Sequence, residues 1–153
     1  MVTNSSEKRE TTEDLAERVF SELHVTLFSF EDDARRGEVE AIHDMRVTAR
    51  KLRVALANFA VCVPLERRRG IKSHLTLLAD ALGRVRDIDV MLESLVTIEA
   101  ETPVGRKAMV ADLRTRLLRR RKYHQRRLSN YFASENYRGL KEVLPEPING
   151  QAA

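Results

Sequence analysis

Apolar residues recur at intervals of three and four along most of this chain. That spacing places side chains on one face of an α-helix and differs from the two-residue alternation of a half-buried strand. The pattern extends from Leu15 to Phe30, from Ile42 to Val63, from Ile71 to Leu82 and from Ile88 to Leu95. It predicts an all-α protein in which each helix buries one apolar stripe.

Glycine, proline and capping residues divide this pattern into segments. Gly83 is suited to a left-handed cap that turns the chain, and Asp87 and Asp89 are suited to cap the helix after it. Thr102 and Pro103 read as an N-cap followed by proline at the first helical position. The predicted helices run from Thr11 or Thr12 to Gly37, Glu38 to Cys62, Glu66 to Gly83, Val85 to Glu99, Thr102 to Ala133 and, more briefly, Tyr137 to Val143.

Short connections between long helices favour antiparallel neighbours, so the expected architecture is an antiparallel helical bundle of four to five long helices. The 153 residues suit one hydrophobic core. We predict one bundle over residues 11–144, with flexible segments at 1–10 and 145–153.

The cellular setting follows from what the sequence lacks. Cys62 is the only cysteine and cannot form an internal disulfide. Apolar runs fall short of the roughly 20 residues that cross a bilayer, and the polar start does not resemble a secretion signal. We therefore expect a cytoplasmic protein with no membrane segment.

Charge is distributed unevenly along the chain. Residues 1–37 carry nine acids against five bases, whereas residues 106–127 carry ten bases against one acid, Asp112. Such asymmetry favours an anionic partner on one surface.

A basic stripe adjoins the apolar stripe of the second predicted helix. His43, Arg46, Arg50 and Arg53 fall within roughly 80° of one another around the helix axis. Like charges at this spacing repel by a few tenths of a kcal/mol per pair, so a bound anion would stabilise the arrangement. Arginine is suited to phosphate because its planar guanidinium donates forked hydrogen bonds and stays charged.

We expect other residues to line the same groove because their helices should face it, while Arg121 and Lys122 should point elsewhere. The additional candidates are Arg69, Lys72, Arg116, Arg119, Arg120, Tyr123, Arg126 and Arg127.

Catalytic and metal-binding interpretations find less support. His24, His74 and His124 have no ligand partners at metal-site spacing, and Cys62 is better explained as a packing residue. Asp87 and Asp89 are better explained as caps than as a Mg²⁺ site or an acid–base pair. We predict no metal, no cofactor and no enzyme activity.

Three segments together resemble the conserved histidine α-helical domain, CHAD. They are Glu40–Val47 (EAIHDMRV), Arg50–Arg53 (RKLR) and Leu82–Val90 (LGRVRDIDV), and the resemblance covers roughly Glu13 to Leu144. It implies an all-helical domain that binds inorganic polyphosphate in a basic channel and is often associated with polyphosphate granules.

Carried onto this sequence, the resemblance implies His43 as the family's histidine. Arg46, Arg50 and Arg53 then become channel bases, and Arg86 joins them from the Arg-Asp segment. Lys51 stands where the family usually has another arginine.

The resemblance also implies a difference in size. A typical family member is about twice as long and forms its channel from two similar bundles, so this chain resembles one half of a CHAD domain. Either half a channel binds polyphosphate weakly, or two copies complete it about a two-fold axis. We expect a homodimer.

Two other functions stay open at this stage. Nucleic acids offer the same phosphate oxygens to a basic helix, but aromatic residues make up only 5% of the chain, which is poor equipment for base stacking. A scaffold whose basic face binds an acidic protein is the other alternative.

Overall fold

A computed structural model describes residues 10–144, and within them the chain forms helices without any strand. The predicted flexible segments 1–10 and 145–153 lie outside these residues, except for Glu10. Short connections join the helices, one of them containing a 3-10 turn at Val104–Arg106. The α-helices are α1 (Thr12–Ser29), α2 (Glu31–Arg36), α3 (Val39–Asn58), α4 (Leu65–Glu101), α5 (Lys107–Phe132) and α6 (Glu135–Val143).

The first predicted helix is confirmed at both ends but is interrupted. Thr11 caps α1 in a capping box: its hydroxyl accepts a hydrogen bond from the Asp14 backbone, and the Asp14 carboxylate accepts one from the Thr11 backbone. Phe30 separates α1 from the short α2. Gly37 then ends α2 with a φ of 92°, a conformation that costs glycine little.

Helix α3 contains the predicted apolar stripe but ends at Asn58, earlier than the predicted Cys62. The chain turns through residues 59–64 before α4 begins. Helix α6 begins two residues earlier than predicted, because the Ser134 hydroxyl accepts a hydrogen bond from the Tyr137 backbone and caps it. The stripe of α3 is buried as predicted, at Ile42, Met45, Ala49, Leu52 and Leu56.

The predicted corner at Gly83 is wrong, because α4 continues through it as a single helix of 37 residues. Glycine inside a helix costs about 1 kcal/mol relative to alanine. Leu82 and Val85, which flank it, are fully buried and continue the apolar stripe. Burial of such side chains contributes roughly 1.5–3 kcal/mol each, which outweighs the glycine penalty.

The capping roles predicted around this corner are wrong as well. Asp87 and Asp89 lie in the interior of α4, and Asp89 is buried. The Thr102 hydroxyl donates to the Ile98 carbonyl at the end of α4, at 2.6 Å, and does not cap α5. Helix α5 begins only at Lys107, after the 3-10 turn.

Helix α4 organises the bundle. It packs against α3, α5 and α6, while α3 also packs against α1 and α2. The backbones of α3 and α5 do not approach each other closely, and both helices pack against α4 and α2. The core contains buried residues from all six helices or the residues flanking them. In the described part of the chain, none of the helices combines the length and the apolar character needed to span a membrane.

Candidate functional site

A groove of about 830 Å³ runs between α3 and the first half of α4. We call it the α3–α4 groove. Its basic lining comes from both helices, and apolar side chains form the rest of its surface. The residues that line it are Arg46, Val47, Arg50, Arg53, Val54, Leu56, Ala57, Ala60, Leu65, Arg68, Arg69, Lys72 and Ala79.

The groove follows from the antiparallel arrangement of α3 and α4. Arg46, Arg50 and Arg53 succeed one another along one side of α3, and Arg69 and Lys72 project from the facing side of α4. Further along α4, a Cβ atom at Gly83 would lie 3.7 Å from the Arg46 Nε, so the Arg46 side chain reaches across to that helix. The structure therefore brings together five bases that the sequence assigned to one groove.

Most of these bases have no acidic partner. Within residues 10–144, Arg46, Arg50, Arg53 and Lys72 make no ion pair and no side-chain hydrogen bond, and all four are exposed. Arg69 pairs with Glu66 at 2.8 Å, but both side chains are largely exposed, so this contact contributes little. The groove thus presents at least four uncompensated positive charges to solvent.

Arg68 was not predicted. Its guanidinium donates a hydrogen bond to the Ala60 carbonyl at 2.7 Å, which ties the α3–α4 turn to α4. Arg68 precedes Lys72 by four residues, so the helical spacing could have identified it as a member of the same face. This hydrogen bond uses one nitrogen of the Arg68 guanidinium. It holds one wall of the groove in place beside the unpaired bases.

His43 and Arg86 lie beyond the groove. His43 is half-buried and does not line it. His43 lies about one turn before Arg46 on α3. Arg86 is mostly buried and pairs with Glu93 at 2.7 Å, so its charge is already compensated.

Lys51 occupies a different side of α3. It lines a shallow apolar depression between α1 and α3, together with Val19, Leu23 and Phe59. Lys51 does not line the α3–α4 groove itself, but this depression adjoins the groove and shares Val47, Arg50 and Val54 with it.

The predicted bases of α5 do not share the groove either, which corrects the expectation of one common channel wall. Helix α5 packs on the other side of α4, where Arg120 and Arg127 are close to Arg84 and His124. Burial, and then the positive charges of Arg120, Arg84 and Arg127, lower the pKa of His124. These bases form a second cluster.

The remaining α5 candidates differ in their surroundings. The Arg127 guanidinium donates to the Tyr123 hydroxyl at 3.1 Å and lies 5.8 Å from the centre of its ring. Arg116 pairs with Asp112 at 2.8 Å. Arg119 is exposed and lies roughly 80–100° around the helix from Arg120 and Arg127.

Arg121 has a structural position that the sequence did not reveal. It contacts the buried Asp89 carboxylate at 2.5 Å and donates to the Gly37 carbonyl at 2.9 Å. No local pattern signals this pair, because Asp89 and Arg121 are 32 residues apart.

Comparison with known proteins identifies one family. The family model described as "CHAD domain" matches residues 18–152, which is nearly the whole chain. Searches of curated proteins and of solved structures returned no significant match.

Proposed function

The chain belongs to the CHAD domain family, and on that basis we propose that it binds inorganic polyphosphate in the α3–α4 groove without catalysing a reaction. The observation that carries this proposal is the row of Arg46, Arg50, Arg53 and Lys72, which lack acidic partners among the described residues. Three of them present guanidinium groups, whose forked donors match phosphate oxygens.

The shape of the groove favours a linear polyanion. The three arginines are spaced over two turns of α3, so their Cα atoms extend over about 10 Å. A chain of linked phosphates can contact them in succession, whereas a single phosphate can satisfy only one or two. The proposed setting is the cytoplasm, including polyphosphate granules.

A second copy of the chain would complete the site. The groove has walls on α3 and α4 only, and its outer rim contains Val47, Val54 and Leu65, which are well exposed. Covering these apolar side chains would favour association. We propose a homodimer in which each chain supplies one wall of the binding channel.

Binding measurements with long polyphosphate test this function. Replacing Arg46 and Arg50 by alanine should weaken binding by at least about 100-fold, since each charge-assisted hydrogen bond contributes roughly 1.5–3 kcal/mol. Circular dichroism should show unchanged helicity, because both side chains are exposed. A matched double variant, R106A/K122A, removes the same charge outside the groove and should bind as wild type.

The competing functions give different results in the same assay. RNA and an acidic peptide should bind more weakly than polyphosphate at one fixed salt concentration. Stronger binding of RNA would favour nucleic-acid recognition, and stronger binding of the peptide would favour a protein-docking role. Unchanged polyphosphate binding by R46A/R50A would contradict the proposed site.

A further inference from the structure

A second basic cluster lies on the face shared by α4 and α5. It consists of Arg84 from α4 with Arg120, Tyr123, His124 and Arg127 from α5, and we call it the α4–α5 basic face. Helices α4 and α5 pack against each other, and the four α5 residues share one face because they recur at three- and four-residue spacing. Burial lowers the pKa of His124, and so do the positive charges of Arg120, Arg84 and Arg127, as expected if Arg84 lies near this face. The Arg127 guanidinium is oriented by the Tyr123 hydroxyl.

Three arginines of α5 have carboxylate partners, whereas Arg120 and Arg127, like Arg119 and Arg126, have none within residues 10–144. On the same helix, Arg114 pairs with Glu99, Arg116 with Asp112 and Arg121 with Asp89. Arg84 and Arg120 make no ion pair within residues 10–144, and Arg127 bonds only to a neutral hydroxyl. On α5, the repulsion between Arg120 and Arg127 is not offset by an ion pair within residues 10–144, while Arg84 has only the exposed Asp80 and Asp87 one turn away on α4.

This face is separate from the α3–α4 groove. Arg84 follows Lys72 by twelve residues on α4, which corresponds to about 18 Å along the axis and about 120° around it. Asp80 and Asp87 are exposed and project between these two directions. A polyanion that passed from one surface to the other would have to cross their negative charges.

We propose that the α4–α5 basic face is a second polyphosphate-binding surface, so that one chain can link two polyphosphate molecules. This inference rests on the proposed function of the groove, because it assigns the same ligand to a second cluster of phosphate-binding side chains. Long polyphosphate offers many sites per molecule. A protein with two binding surfaces would therefore crosslink such molecules into larger assemblies.

Calorimetry with tripolyphosphate tests whether the two surfaces bind independently, since this ligand is too short to reach both. The wild type should show two classes of site. R46A/R50A should remove one class, and R84A/R120A/R127A should remove the other with at least a tenfold loss of affinity. R106A/K107A/K122A removes three charges from elsewhere on the surface and should retain both classes.

Light scattering with long polyphosphate tests the crosslinking. Wild-type protein should form large assemblies near charge equivalence, and excess polyphosphate should dissolve them. R84A/R120A/R127A should still bind polyphosphate through the groove but should scatter no more than free protein. Circular dichroism confirms that each variant is folded.

The outcomes separate this inference from the function proposed for the groove. If R84A/R120A/R127A retains both classes of site, the second surface is overturned while the groove stands. If R46A/R50A loses all tripolyphosphate binding, the second surface is not independent and is likewise overturned. If R46A/R50A changes nothing but the triple variant loses binding, the groove proposal fails and the second surface is supported. Tighter binding of RNA than of polyphosphate to R46A/R50A would overturn the ligand assigned here.

Discussion

The guanidinium of Arg121 joins three parts of the chain that are distant in sequence. It contacts the Asp89 carboxylate of α4 and the Gly37 carbonyl after α2, and its side chain is only 19% exposed. Asp89 is almost completely buried. Removing one partner of such a pair leaves the other as an uncompensated charge in a poorly solvated position.

Replacing Arg121 with methionine should therefore destabilise the protein by about 3 kcal/mol. The free energy of unfolding in urea measures this effect. K122M, which alters the exposed neighbouring residue, should change stability by less than about 0.5 kcal/mol. The double variant D89L/R121M should recover most of the loss, because no charge is left buried. Equal stability of R121M and wild type would show that the pair is dispensable.

Individual residues were predictable where local spacing defines them. The apolar stripe of α3 and the basic stripe beside it follow from a period that the sequence displays directly. The charge state of a particular arginine does not follow, because its partner can come from any part of the chain. Arg86 and Arg121 show this: Glu93 compensates the first, and Asp89 the second.

The continuity of α4 is the main difference between expectation and structure at the level of elements. Glycine favours a helix end when its φ is positive, and Gly37 has that conformation. Gly83 lacks it, since Gly37 is the only residue with positive φ among those described. Both positions are glycine, but α2 ends at Gly37 whereas α4 continues through Gly83. The difference follows from the buried neighbours of Gly83, Leu82 and Val85.

Gly83→Ala provides a direct test of this continuity. An alanine Cβ would meet only the Arg46 side chain, at an ordinary contact distance of 3.7 Å. The substitution should therefore stabilise the protein by up to about 1 kcal/mol, the difference in helix propensity. Gly70→Ala, on the same helix in open space, is the matched control and should stabilise it similarly. Thermal unfolding measures both, and destabilisation by G83A alone would indicate a helix break at this position.

Glu31 fastens α2 to α6. Its carboxylate accepts a hydrogen bond from the Tyr137 hydroxyl at 2.9 Å and pairs with Lys141 at 2.6 Å. Burial alone would raise the pKa of Glu31, but the hydrogen bonds from Lys141, Arg35 and Tyr137 outweigh it and lower the pKa. The ionised form is therefore favoured in the folded state.

The lowered pKa of Glu31 determines how its contribution to folding stability changes with pH. The unfolded chain protonates Glu31 first as pH falls, so this contribution is complete above the ordinary glutamate pKa of about 4.3 and is lost as pH falls through the folded value. E31Q should be less stable than wild type at pH 7, and the difference should shrink as pH decreases toward 3. Urea unfolding across this range measures it. A difference that stayed constant with pH would contradict an ionised role for Glu31.

On the scale of the whole molecule, the position of α4 decides which bases can act together. The sequence predicts basic faces on α3 and α5, but a helical period gives no information about which helix lies between them. Because α3 and α5 pack against α4 and α2 and not against each other, their bases form two clusters where the sequence suggested one. The all-α fold and the family were predictable, whereas the division of the bases into two clusters required the packing.

The proposed homodimer makes the last prediction at this scale. Val54 lies on the rim of the α3–α4 groove with 51% of its surface exposed, and Val25 on α1 is similarly exposed at 58% but lies outside the groove. Light scattering coupled to size-exclusion chromatography should give a dimer for the wild type, and polyphosphate should stabilise it.

V54K should shift the protein toward monomer, since a lysine in the covered rim would lose hydration without gaining a partner. V25K carries the same change on an uncovered surface and should stay dimeric. A wild-type protein that is monomeric with and without polyphosphate would mean that one wall suffices for binding. The channel would then be an open groove along α3 and α4, and the affinity for polyphosphate would depend on Arg46, Arg50 and their neighbours in a single chain.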